Sequence, residues 1–151
     1  MAQDYYDILQ PFDHIVQKLR DNMPALGLEY VAENDEKLLP AYPSVLVQCD
    51  RTERQYHTTA YFHVQFYIDL WVFHAELTVD TATRSRKDIQ LATDIRKLLH
   101  QDRTLGGHVI DGFVGDEHPG ITARVMNDVR SGVVTTRLAW VAQNRVPYEM
   151  S

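Results

Sequence analysis

The chain holds 151 residues, of which 44% are apolar and 24% charged. That is the size of about one domain with a globular composition, which argues against a disordered or coiled-coil protein. Its 21 acidic and 15 basic side chains leave a net charge of -6, which argues against a general nucleic-acid binder that grips phosphates through a basic excess.

The opening MAQDYYDILQ has neither the basic region nor the apolar run of a signal peptide, so no leader is expected. From Asp4 to Asn22 apolar side chains fall at Tyr5, Ile8, Leu9, Phe12, Ile15, Val16 and Leu19, one stripe at helical spacing. Pro11 lies inside that stripe. A proline removes a helix hydrogen bond but suits a first turn, so a short turn followed by the main helix Pro11–Asn22 is predicted. Pro24 and Gly27 close it. Leu28–Ala32 is a short strand candidate, and Pro40 and Pro43 mark a loop. Ser44–Asp50 reads as a strand around Val45, Leu46 and Val47, and Asp50–Gln55 as a charged turn. Cys49 is the only cysteine, which excludes a disulfide within the chain and a cysteine-based zinc site. It reads as a small buried hydrophobe.

From Ala60 to Phe73 the pattern has period two. The even positions are Ala60, Phe62, Val64, Phe66, Ile68, Leu70 and Val72; the odd ones are Tyr61, His63, Gln65, Tyr67, Asp69, Trp71 and Phe73. This predicts one half-buried strand about 45 Å long at ~3.3 Å per residue. Strands usually hold only ~5–6 residues. Its polar side chains, and its shortfall from the ~20 apolar residues of a membrane helix, set a membrane span aside. The aromatics of the odd face, Tyr61, Tyr67, Trp71 and Phe73, are candidate subunit contacts, because such rings bury much area at low entropy cost. The alternative is that a helix of the same chain covers them.

Thr81–Gln101 reads as the second helix, with Asp80, Thr81 or Thr83 as N-cap and Leu91, Ala92, Ile95, Leu98 and Leu99 facing the core. Arg84, Arg86 and Lys87 sit in its first turns, where cations oppose the helix dipole. An acidic partner would account for them; simple tolerance of exposed charge is the alternative. Gly106 and Gly107 permit a left-handed exit. His108–Val114 reads as a strand and Gly115–Gly120 as a loop. Ile121–Arg130 and Val133–Val141 read as strands joined by a tight hairpin at Ser131–Gly132. Residues 143–151 read as an extended arm. The order of elements predicts a single α+β domain over residues 1–151, with a mostly antiparallel sheet and two main helices packed on one face.

Chemistry is harder to find. The histidines, at positions 14, 57, 63, 74, 100, 108 and 118, show no HxH, HxxxH or HExxH spacing, so no metal is expected. No phosphate loop, dinucleotide fingerprint or nucleophile elbow occurs, and no cofactor is expected. Asp111, Asp116 and Glu117 are close in sequence but read as a solvated loop rather than an acid–base pair. The expectation is a protein that is not an enzyme. The competing class is a small α+β enzyme or ligand-binding domain, with His63, Asp69 and His108 as the first residues to suspect in a cleft.

In order and length, nearly the whole chain resembles the tail-terminator, or tail-completion, proteins of tailed bacteriophages, the minor tail protein U-like group. The stretches that carry the likeness are YYDILQPFDHIV, YPSVLV, FHVQFYIDLWVF, RSRKDIQLATDIRKLLHQDRTLGG and VTTRLAWVAQNRVPY. The helix Ile89–Leu99 followed by the D-x-T-L-G-G step at Asp102–Gly107 resembles that family most. The resemblance implies a structural virion protein at the tail–neck junction, assembled in the host cytoplasm. It implies a homohexameric ring that caps the tail tube, stops its polymerisation and joins it to the head–tail connector or a neck protein. DNA would pass through the lumen without specific binding, and no membrane is involved. A neck or connector-completion protein is the nearest alternative. Under this reading the strand Ala60–Phe73 forms one side of a closing contact between neighbours. The loops with Arg51, Glu53 and Arg54, and with Gly115, Asp116, Glu117 and His118, meet the tube or connector.

Overall fold

A computed structural model describes residues 8–33, 41–56, 61–74, 81–107, 109–122 and 134–147, with the backbone alone at 54–56, 61–63, 81–82, 120–122 and 144–147. The first helix, α1, spans Leu9–Asp21, with Phe12, Ile15, Val16 and Leu19 buried. It begins before Pro11 rather than at it. Pro11 falls in the first turn, where a backbone N–H has no partner within the helix, so the ring removes nothing. Asn22 ends α1 by donating from its amide to Lys18 O at 2.8 Å. The short α2, Met23–Leu26, follows and closes on Gly27 at φ 74°.

Five strands form one sheet in the order β1-β2-β3-β5-β4. They are β1 (Tyr30–Glu33), β2 (Ser44–Tyr56), β3 (Tyr61–His74), β4 (Asp111–Thr122) and β5 (Val134–Pro147). β1 runs parallel to β2 over Ser44–Val47, and the remaining pairs are antiparallel. β3 is central and pairs with β5 over its whole length, from Tyr61↔Pro147 to His74↔Val134. With α3 at Thr81–His100, the chain is a single α+β domain, mostly antiparallel, with helices on the sheet.

Three expectations need correction. Asp50–Gln55 is not a turn: it continues β2, with a bulge between Cys49 and Arg51 that inserts Asp50. A bulge absorbs the extra residue and lets charged side chains stay on a solvent-facing margin. Gly115–Gly120 is not a loop, because β4 runs through it as an edge strand with register shifts at Val114/Asp116 and His118/Ile121. Gly115 and Pro119 are tolerated where an edge or bulge removes the need for a regular ladder. Gln143–Pro147 is no free arm but the end of β5, paired with β3 from Gln65 to Tyr61. The hairpin at Ser131–Gly132, the stretch 123–130 and residues 148–151 lie outside the described residues.

The even face of β3 makes the core. Val64, Phe66, Ile68, Leu70 and Val72, with Val45, Val47, Leu138, Trp140 and Ala142 from the adjacent strands, pack under α1 and α3. From α3 come Leu91, Ala92, Ile95 and Leu99. Each buried Val, Leu, Ile or Phe among them contributes roughly 1.5–3 kcal/mol by leaving water.

The D-x-T-L-G-G step is a structural staple between α1 and the exit of α3. Asp102 Oδ1 accepts the Gly106 N–H at 3.1 Å, and Asp102 Oδ2 lies 3.0 Å from His14 Nε2 and 3.8 Å from Lys18 Nζ. Burial pushes the Asp102 carboxyl up, but the Gly106 N–H, His14 and Lys18 outweigh it and hold the group below its ordinary value. Gly106 has φ 69°, and a Cβ there would stand 2.8 Å from the His14 ring. Leu105 is fully buried beside it.

Gly112 has a different reason to be small. A Cβ on it would come within 2.6 Å of Trp140 Cζ2, inside a core with no room to move. Gly112→Ala should therefore destabilise by about 1–3 kcal/mol in urea unfolding. Adding Trp140→Phe, which removes the clashing ring atoms, should recover part of that loss in the double variant.

Candidate assembly face

The odd positions of β3 face away from α1 and α3, and strand register sets out that face row by row. Glu53, Gln65, Gln143 and Asp111 form one row; Arg51, Tyr67, Val141 and Phe113 the next. Gln48, Asp69, Ala139 and Asp116 follow, then Leu46, Trp71, Arg137 and His118. Polar rows thus alternate with rows that hold an aromatic ring and a cation.

The aromatics are pinned by polar neighbours. The Arg51 guanidinium lies 3.9 Å from the Tyr67 ring centroid. Tyr67 Oη lies 2.7 Å from Gln65 Oε1 and 3.1 Å from Glu53 Oε2. Burial and then the Glu53 carboxylate push the Tyr67 phenol up, while hydrogen bonds from Arg51 and Tyr67 hold Glu53 down. One row pair away, Trp71 Nε1 donates to Gln48 Oε1 at 3.0 Å, and the Arg137 guanidinium sits 5.5 Å from the Trp71 ring. Arg137 Nη2 donates to both Asp69 oxygens at 3.0 Å. Asp69 is only 8% exposed. Burial raises its carboxyl above the ordinary value despite the opposing pull of Arg137. Phe113, 39% exposed, adds a ring at the β4 margin, with the Arg103 guanidinium 5.8 Å from its centroid.

The predicted contact residues do not all reach this face. Tyr67 and Trp71 do, half-buried. Phe73 shares the face but is fully buried within the chain, in a small cluster with Ala32, Leu46, Tyr30 and Tyr42, so it has no surface to offer a neighbour. The side chain of Tyr61 lies outside the described residues, as does that of Arg54. Arg84, Arg86 and Lys87 lie on α3, whose buried residues pack on the opposite side of the sheet, so the two predicted contact groups occupy two different surfaces. Arg51 and Glu53 belong to the sheet face, not a loop. Asp116 and His118 share that face and pair at 3.1 Å, whereas Glu117 turns to the helix side and meets Arg96 at 2.9 Å. Gly115 sits at the first irregularity of β4.

Of the suspected cleft residues, His63 and Asp69 are not brought together. His63 pairs with Gln55 and Arg145 by backbone, Asp69 is held by Arg137 some 20 Å further along β3 at ~3.3 Å per residue, and His108 lies outside the described residues. A cavity of about 320 Å³ exists elsewhere, on the helix side, lined by Leu26, Pro43, His74, Lys87, Gln90, Leu91 and Asp94. Among the described residues no group of three or more His, Cys, Asp or Glu is placed to hold a metal ion, and no helix is long and apolar enough to cross a membrane.

Sequence reasoning missed Arg137, Gln48 and Phe113. The signal for Arg137 was present: Arg137, Ala139 and Val141 alternate with the buried Thr136, Leu138, Trp140 and Ala142. No protein-family model matches the chain, and no curated protein matches it in sequence.

Proposed function

We propose that the chain is a structural ring-forming protein of the tail-terminator kind, which caps a tail tube and joins it to the head–tail connector. The observation that carries this reading is the sheet face that no described helix covers, with its Arg51–Tyr67–Val141–Phe113 row. Tyr, Trp and Arg are the side chains that most often anchor protein interfaces. A ring needs two different patches that meet head to tail. The sheet face and the basic turns of α3 are two such patches on opposite sides of the sheet. Direct pairing of sheet edges is disfavoured, since β4 is interrupted by Pro119 and two irregularities, and β2 by a bulge flanked by charges. The negative net charge suits a lumen that must let DNA pass. Six copies is the number the resemblance implies. A neck or connector-completion protein would use the same surfaces and differs in its position along the particle.

The test is the mass of the purified chain in solution across a concentration series, alone and with tail tubes. A hexamer, or a monomer that becomes a ring on tubes, supports the reading. A stable monomer or dimer indifferent to tubes overturns it. The double variant Tyr67→Ala, Phe113→Ala should keep the fold and weaken ring formation at least about tenfold, the effect of losing one modest anchor. Unchanged association would remove this face from the assembly.

A further inference from the structure

α3 is anchored unevenly. Its second half buries Leu91, Ala92, Ile95 and Leu99 against the sheet. Over residues 83–90 the one buried side chain is Asp88, a carboxyl fully removed from solvent. Thr136 Oγ1 on β5 donates to Asp88 Oδ2 at 2.9 Å, and Asp88 Oδ1 has no hydrogen-bond partner among the described residues. A buried carboxylate without a paired cation is strongly disfavoured, so the group is held neutral. The cavity lined by Lys87, Gln90, Leu91 and Asp94 flanks the same turns and leaves them open space on that side.

We propose that Asp88 is a protonation latch: neutral, it seats the first half of α3 on β5, and when that half lifts, the exposed group ionises and opposes reseating. Burial raises the Asp88 carboxyl to about 8, with only the Thr136 hydrogen bond pulling the other way. Among the described residues, the titratable groups on the elements beside it are Arg84, one turn earlier on α3, and Lys87, Asp94 and His74, which line the flanking cavity; β5 presents Thr136. The lifted state exposes a carboxyl that ionises near 4, so the opening equilibrium grows about tenfold per pH unit between those two values and levels off above 8. Arg84, Arg86 and Lys87 ride on the half that is released, so the latch sets how firmly the basic turns are presented. The proposal stands on the packing of α3 and holds whether or not the chain builds a ring.

Hydrogen exchange followed from about pH 5 to 9, corrected for intrinsic rates, tests it on the whole chain. The amides of residues 84–90 should lose about tenfold protection per unit up to about pH 8, then level, while residues 91–100 lose far less. Asp88→Asn should abolish that slope, and His74→Gln should leave it in place. Parallel loss in both halves, or a slope that survives Asp88→Asn, overturns the latch. Should Asp88→Asn fail to fold, the carboxyl carbon of Asp88 in the unaltered chain decides by NMR. A midpoint near 8 upholds the proposal, and one below about 5 ends it.

Discussion

Arg137→Met should lower stability by roughly 2–4 kcal/mol, with a deficit that shrinks as the solution is acidified. Breaking a fully buried ion pair costs about 3–5 kcal/mol, because the survivor is left charged and desolvated. The lower range applies here because the Arg137 side chain is 31% exposed, although that of Asp69 is only 11% exposed. Burial already pushes the Asp69 carboxyl up, and Arg137 is the main opposing influence. Without Arg137 the group rises further. A carboxyl whose folded value lies above its unfolded value binds more protons when folded, so stability falls as pH rises through the interval between the two. The deficit of Arg137→Met should therefore be smaller near pH 4 than near pH 7. Adding Asp69→Leu should restore most of the loss. Urea unfolding at the two pH values measures both. A deficit below about 1 kcal/mol, equal at both pH values, would mean that Asp69 does not depend on this pair.

Trp140→Ala should be at least as damaging, at about 3–5 kcal/mol, the usual range for truncating a buried aromatic. Trp140 is fully buried among the core side chains, and its ring fills the space left by Gly112. At ~2–4 °C per kcal/mol for a chain of this size, thermal unfolding should shift down by on the order of 10 °C. Trp71→Ala makes the contrast. Trp71 is half-buried on the open face with one hydrogen bond to Gln48, so its truncation should cost much less in folding and register in self-association instead. Equal melting shifts for the two tryptophans would contradict the division of the sheet into a core face and an outward face.

That division was legible in the alternation of β3, since Val64, Phe66, Ile68, Leu70 and Val72 all reached the core. The helical stripes of α1 and α3 were equally clear. What failed was the treatment of polar, glycine-containing or proline-containing stretches as loops. Asp50–Gln55 and Gly115–Gly120 are margins of a sheet, where a bulge or a missing ladder bond is tolerated, and composition alone does not separate that setting from a turn. Phe73 was placed on the correct face, but its burial depends on Ala32, Leu46 and Tyr42, which no local pattern brings together. Asp88 was not singled out in the sequence, where it follows Arg84, Arg86 and Lys87, and only the packing of α3 on Thr136 makes it a buried acid.

Strand order has a consequence for the timing of synthesis. β5, the last strand of the described chain, is inserted between β3 and β4 rather than added at an edge. Until Val134–Pro147 has left the ribosome, β4 has no partner among the described strands and β3 lacks one of its two neighbours. Arg137 and Val141 arrive with that segment, so the rows of the open face exist only once translation has passed it. A nascent chain therefore cannot display the finished face before that segment has emerged, and the domain closes as a unit only at the end of its synthesis. Pairings so distant in sequence also make folding slow relative to a helical protein of equal size.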